Sequence, residues 1–340
     1  MEQDQTALLK GELMEEKLRQ YFLNSGYYVS RSVKYNYKEH EITDVDIFLY
    51  GRLSSLSRER INVDLKNKKN PKVFERIPWT KGIQKLLGFE NCIVATMDKR
   101  EVVRDFCSKN DVILLDGSFL QKLPFNPNER MTEEDFVAKI AEFKSFKTFY
   151  NVNWKNLYET SKSRLMNEMD FSGFNSNLAQ LKYFYLKCLE KQKKEAALRC
   201  TYLILSHSIL MLDYILKDVA FLEPSLRRET LSDGFKFGNL GREGVNRTID
   251  LAVKIAKSSL TASSIKKQIE TNATEILTDF FIKADVSKKL FSWAIEFEKM
   301  AFSKTLILPD TIEVGCKSVF MVFLDYFEIN RKGYFEIFSI

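Results

Sequence analysis

The decapeptide INVDLKNKKN, residues 61–70, sets an apolar run against an acid and an amine and then opens into a basic tail. In an extended chain successive side chains point to opposite faces. Ile61, Val63 and Leu65 therefore fall on one side and Asn62, Asp64 and Lys66 on the other. One side packs, and the other presents Asp64 beside Lys66. The preceding stretch EITDVDIFLYG, residues 41–51, has the same period and puts Asp44 and Asp46 opposite Val45, Ile47 and Leu49. If the two strands are neighbours, Asp46 and Asp64 share a face and can hold one hard divalent cation. Mg²⁺ favours such a site, with few carboxylates completed by water and phosphate oxygens. Lys66, on that face, can orient an attacking water or stabilise a phosphorane-like transition state.

Outward from this pair the chain alternates. Residues 6–24 carry Leu8, Leu9, Leu13, Leu18, Tyr21 and Phe22 at helical spacing, with Gly26 where a C-terminal cap is wanted. Strands are predicted over 27–33, 42–51 and 60–66, with SSLSR as the loop between the last two. A basic helix follows Pro71 and Pro78 and ends near Gly88. ENCIVATM then reads as a strand, DKREVVRDFCSKN as a helix and DVILLDG as a final strand. Strands alternating with helices predict an α/β domain over 1–123 with some parallel pairing, ending before the proline- and asparagine-rich PFNPNERM. Residues 132–147, 177–217 and 248–302 read as helical, so 124–340 is expected to be a mainly α domain. The last stretch, SVFMVFLDYFEINRKGYFEIFSI, suits a hairpin with NRKG as its turn, or a helix plus a strand.

The totals are compatible with this division. A chain of 340 residues suggests about two domains, and 45% hydrophobic with 29% charged residues describes a folded chain with real cores. The formal charge of +6 suits a polyanionic partner without demonstrating one. Five scattered cysteines, no CxxC pair and two histidines argue for reduced, buried thiols in a cytosolic protein and against a zinc site. The start MEQDQTALLK lacks the basic and apolar regions of a signal peptide. The apolar run at 202–216 is broken by Ser206, His207, Ser208 and Asp213, which makes it a buried helix rather than a membrane span.

The layout resembles the PD-(D/E)xK nuclease superfamily, nearest its Holliday-junction resolvase and Mrr-like branches. In KGELMEEKLRQYFLNSGYYVSR the matching positions are Gly11, Glu15, Gly26, Tyr27 and Arg31, with Glu15 or Glu16 as the helix carboxylate. The first strand acid of the family falls on Asp46 of TDVDIF and its (D/E)xK on Asp64, Leu65 and Lys66. Gln84 lies where several branches carry a glutamine near the site. The resemblance covers roughly the first 120 residues. It departs from the family in having Asp rather than the commoner Glu at 64 and no proline before Asp46. It implies a restriction-endonuclease-like mixed sheet flanked by helices, with Mg²⁺ or Mn²⁺ held at Asp46, Asp64 and Leu65, and Lys66, Glu15 and Gln84 completing the catalytic set. It also implies phosphodiester hydrolysis, DNA ahead of RNA as substrate and a role in bacterial anti-phage defence with a partner protein. The helical half would serve dimerisation, recognition or control.

Lys68, Lys69, Lys72, Arg76, Lys81 and Lys85, with Trp79 among them, form a cationic and aromatic series suited to a nucleic-acid groove. Each feature has a simpler reading. Asp44 and Asp46 can be solvated strand residues, Asp64 and Lys66 a surface pair worth under ~1 kcal/mol, and 66–72 a solvated loop. On this simpler view the chain is a non-catalytic scaffold that binds nucleic acid or protein. His207 reads as a packed helix residue, His40 as exposed, and GNLGREGVNR as an interhelical loop without the strand and Lys-Ser/Thr of a phosphate loop.

Overall fold

A computed structural model describes residues 8–38, 40–66, 72–144, 152–256, 261–270 and 273–338. The chain divides into two units, Met1–Asn167 with Phe302–Lys304, and Glu168–Ala301 with Thr305–Ile340. The division falls at Asn167, later than the boundary at 123 read from the sequence.

The first unit opens with α1 (Lys10–Asn24), which ends where Gly26 adopts φ +88°, a left-handed conformation that glycine takes without a Cβ penalty. Strands β1 (Tyr28–Tyr37), β2 (His40–Arg52) and β3 (Arg58–Lys66) form an antiparallel meander. Helix α2 (Val73–Leu87) returns the chain to β4 (Asn91–Thr96), parallel to β3, and α3 (Glu101–Lys109) returns it to β5 (Ile113–Leu115), parallel to β4. The result is an α/β unit with a five-stranded mixed sheet in the order β1-β2-β3-β4-β5.

The two-residue period sorts side chains as the sequence suggests. Leu18 and Phe22 of α1 cover Ile47, Leu49, Ile61, Val63 and Leu65 on one face. On the other, Val73 and Ile77 of α2 and Val103 and Cys107 of α3 cover Cys92 and Val94. Each such buried aliphatic side chain contributes ~1.5–3 kcal/mol.

Short α4 (Gly117–Leu120), α5 (Glu133–Ile140) and α6 (Trp154–Asn167) follow. The last two are tied to the sheet unit by charge. Glu133 of α5 accepts from Lys162 Nζ of α6 at 2.9 Å, from Arg19 Nη1 of α1 at 3.4 Å and from the Tyr158 hydroxyl. Glu16 accepts from the backbone N–H of Glu133 at 3.0 Å and from the Arg31 guanidinium. These ion pairs join α1, β1, α5 and α6, and for this reason the unit extends past 123. Helix α6 also lies against the outer edge of β1, where Asn36 Nδ2 donates to Ser163 Oγ at 3.3 Å.

The second unit comprises α7 (Phe171–Lys187), α8 (Lys194–Val219), α9 (Pro224–Phe237), α10 (Gly241–Ala256), α11 (Ala262–Glu270), α12 (Thr274–Phe281), α13 (Ala284–Phe302), α14 (Val314–Tyr326) and α15 (Arg331–Glu336). Helix α8 is buried along most of its length, and His207 within it is buried. No helix among the described residues is long and apolar enough to cross a membrane. All five cysteines are buried and free.

Two local expectations are corrected. The tail is helical rather than a hairpin or a helix plus strand: Cys316, Val319, Phe320, Phe323 and Leu324 form one buried helical face. NRKG is a helix start, because the Asn330 side chain accepts from the N–H of Gly333 at 2.8 Å. GNLGREGVNR is not a loop, since α10 begins at Gly241 within it.

Gly173 permits the tight entry into α7, where a Cβ would stand 1.9 Å from the carbonyl oxygen of Glu168. Gly173→Ala is expected to destabilise the second unit by ~1–3 kcal/mol through the forced backbone shift. A thermal or urea unfolding curve at wild-type stability would contradict this.

Candidate active site

Backbone pairing of β2 with β3 runs from Arg52↔Arg58 to Ile47↔Val63. At the next position the Asp46 side chain bridges the strands, its Oδ2 accepting from the N–H of Leu65 at 2.6 Å. On the other side of β2, pairing with β1 passes from Arg31↔Ile47 to Val33↔Val45, and Ser32 between them adopts φ +48°. A non-glycine residue in that region costs ~1–2 kcal/mol. The sheet is therefore irregular on both sides of Asp46.

Asp46, Asp64 and Lys66 converge there, as their phase in the sequence suggests. Lys66 Nζ lies 3.7 Å from Asp46 Oδ2 and 3.9 Å from Asp64 Oδ1, so one cationic group reaches both carboxylates. Burial pushes the Asp46 carboxyl above its usual range, and although Lys66 and the Leu65 N–H pull it down, the charges of Asp64 and Asp44 add to the rise. Asp44 itself is exposed, as its simpler reading has it.

Glu15 lies close enough to feel this cluster. Burial raises its pKa, the Arg31 guanidinium opposes that rise, and the charge of Asp46 adds to it. Arg31 Nη2 and Nε hold Glu15 Oε2 at 2.9 and 3.1 Å. Glu16 instead belongs to the buried network around Arg19, Arg31 and Glu133. Of the two candidate helix carboxylates, Glu15 is the one coupled to Asp46.

A shallow, solvent-open cleft lies over the carboxylates, lined by Asp44, Asp46, Asn62, Asp64, Trp79 and Thr80 among others. Two residues beside the carboxylates, Asn62 in the cleft and Arg76 on α2, have partners that the sequence did not show. Asn62 is buried, its Nδ2 donates to the Thr80 carbonyl at 3.1 Å, and its Oδ1 has no hydrogen-bond partner. Arg76 is more consequential. Its Nε donates to Asp64 Oδ2 at 3.0 Å and its Nη2 to Asp64 Oδ1, a bidentate grip on the carboxylate. An arginine twelve residues beyond Asp64 read from sequence only as a candidate phosphate contact, because nothing in local spacing shows where α2 aims it.

Other candidates are elsewhere. Gln84 is not brought to the carboxylates: its Nε2 donates to the carbonyls of Phe89 at 3.3 Å and Glu90 at 3.0 Å, in the turn before β4. That turn lies level with Arg60, the end of β3 remote from Asp64. Lys72 is exposed and paired with Glu75 at 3.2 Å, Lys81 donates to the Asp111 carbonyl at 3.2 Å, and Lys85 is exposed near the far end of α2. Lys68 and Lys69 lie outside the described residues. His40 is exposed.

Among the described residues no group of three His, Cys, Asp or Glu side chains has a metal-holding arrangement. The available donors are the two carboxylates, the orphaned Asn62 Oδ1 and the main chain of Leu65, whose side chain is in the core. An all-oxygen set with two carboxylates fits Mg²⁺ or Mn²⁺, which keep several waters, and such a water can donate to Asn62 Oδ1. No family model, curated protein or solved structure matches the chain.

Proposed function

We propose that the chain is a metal-dependent nuclease of the restriction-endonuclease-like class, acting on DNA in preference to RNA. The observation that carries this reading is the convergence of Asp46, Asp64 and Lys66 where β2 and β3 part. The mixed sheet flanked by helices, with Glu15 on the helix before it, supports the same class.

A divalent cation at Asp46, Asp64 and the Leu65 main chain would supply Lewis-acid activation of water and neutralise phosphate charge. Asp46 and Asp64 bind and orient. Lys66 directs the attacking water and stabilises the charge that develops on phosphorus oxygens. Glu15, steadied by Arg31, adds negative charge behind Asp46. Trp79, 46% exposed beside Arg76 at the cleft, offers a stacking surface for a base. Carried from the resemblance alone, the proposal extends to a twofold homodimer through the helical half, and to a partner protein in an anti-phage system.

The grip of Arg76 on Asp64 favours a second reading, a non-catalytic scaffold that uses the same face to bind nucleic acid or protein. Labelled single- and double-stranded DNA and RNA, incubated with Mg²⁺, with Mn²⁺ and with chelator, separate the two. The nuclease reading expects cleavage that requires the divalent ion. Equal behaviour with and without the ion would support the scaffold.

A further inference from the structure

We propose that Arg76 is a resident counter-ion of the site, which a divalent cation must displace from Asp64 before it can bind. The inference rests on the metal-dependent reading above and adds to it a built-in competitor. Asp64 is 8% exposed, and both of its oxygens are engaged by one guanidinium. A cation coordinating either oxygen would stand against that positive group in a poorly hydrated position, so the two charges cannot share the carboxylate at low cost.

The Arg76 side chain has a second partner within reach. The Thr80 hydroxyl donates to the Arg76 carbonyl at 2.8 Å within α2, so this contact holds the Arg76 backbone and not its side chain. Part of the Arg76 side chain already reaches solvent, and its guanidinium lies 5.8 Å from the ring centroid of Trp79. Trp79, 46% exposed, is already within cation–π reach, and a displaced guanidinium would keep a favourable interaction with it. Lys66 bridges both carboxylates through longer contacts, so Arg76 makes the shorter and better-directed contact with Asp64.

Mn²⁺ binding to the full chain, followed by electron paramagnetic resonance without substrate, tests this directly. Arg76→Ala and Arg76→Gln should bind Mn²⁺ about tenfold more tightly than wild type, since a charge-assisted bidentate pair no longer competes. Asp64→Asn should lose most of the binding. Melting temperatures with and without Mn²⁺ provide a second readout: the Arg76 variants should melt below wild type in chelator, with Asp64 left only its longer contact to Lys66, and gain more than wild type when Mn²⁺ is added. If wild type binds Mn²⁺ through Asp64 and both Arg76 variants bind no more tightly, the competitor role is overturned and the metal site stands. If neither wild type nor any Arg76 variant binds Mn²⁺, the metal-dependent reading falls, and this inference with it.

Discussion

If the chain is the nuclease proposed above, Asp64→Asn and Lys66→Ala are expected to slow phosphodiester cleavage by a factor on the order of 10² to 10³, with the fold intact. Asp64→Asn keeps the size of the side chain and part of its hydrogen bonding to Arg76 but removes the charge that would hold a cation. Lys66→Ala removes the ammonium that, among the described residues, reaches both carboxylates. Loss of a charge contact formed with the transition state is worth ~3 to 4 kcal/mol, from which the expected factor follows. Folding should survive because the packing side of β3 is Ile61, Val63 and Leu65, and Lys66 is partly exposed. Single-turnover cleavage with matched circular dichroism spectra measures both parts. Variants that cut at the wild-type rate, with unchanged metal dependence, would place the chemistry elsewhere.

Glu133→Gln is expected to destabilise the first unit by ~3–5 kcal/mol, because it leaves Lys162 and Arg19 buried without their common carboxylate. The same group makes stability pH-dependent. Burial alone would raise the Glu133 pKa, but the charges of Lys162, Arg19 and Arg31 and the Tyr158 hydroxyl outweigh it and bring the carboxyl down to about 2 from 4.5. The folded value lies below the unfolded one, so the stabilisation is fully present above pH 4.5 and is lost as pH falls towards 2. Its size is on the order of 3 kcal/mol. Urea unfolding followed by tryptophan fluorescence between pH 7 and pH 2.5 should show wild type losing this increment and Glu133→Gln showing a flatter profile. Parallel pH profiles for the two proteins would refute the assignment.

The parts of the fold visible in the sequence are those set by short-range period. Alternation in β2 and β3 fixed which side of the sheet Asp46, Asp64 and Lys66 occupy, and Gly26 and Gly88 marked the ends of α1 and α2. What depends on distant partners was not visible. The recruitment of α5 and α6 rests on Glu133 meeting Arg19 and Lys162, residues drawn from three separate helices. Gln84 looked like a site residue by position along α2, yet its amide is used by the carbonyls of the following turn. Asn330 read as part of a turn because the same side-chain chemistry starts turns and caps helices; here the chain continues as α15, with Tyr334 buried. The pairing of Arg76 with Asp64 is the same kind of long-range fact, and it bears most directly on how the site is read.

The placement of α6 beside β1 bears on self-association. A bare outer strand is a template on which another chain can add, and β1, with ten residues, is long enough to serve as one. Here a helix and the Asn36–Ser163 hydrogen bond lie along it, while the opposite border of the sheet, β5, has only three residues. Among the described residues neither border offers a long free row of peptide groups, which disfavours growth of the sheet from one molecule into the next. Among the described residues it is then helix side chains, more than strand edges, that are open to contact with another molecule.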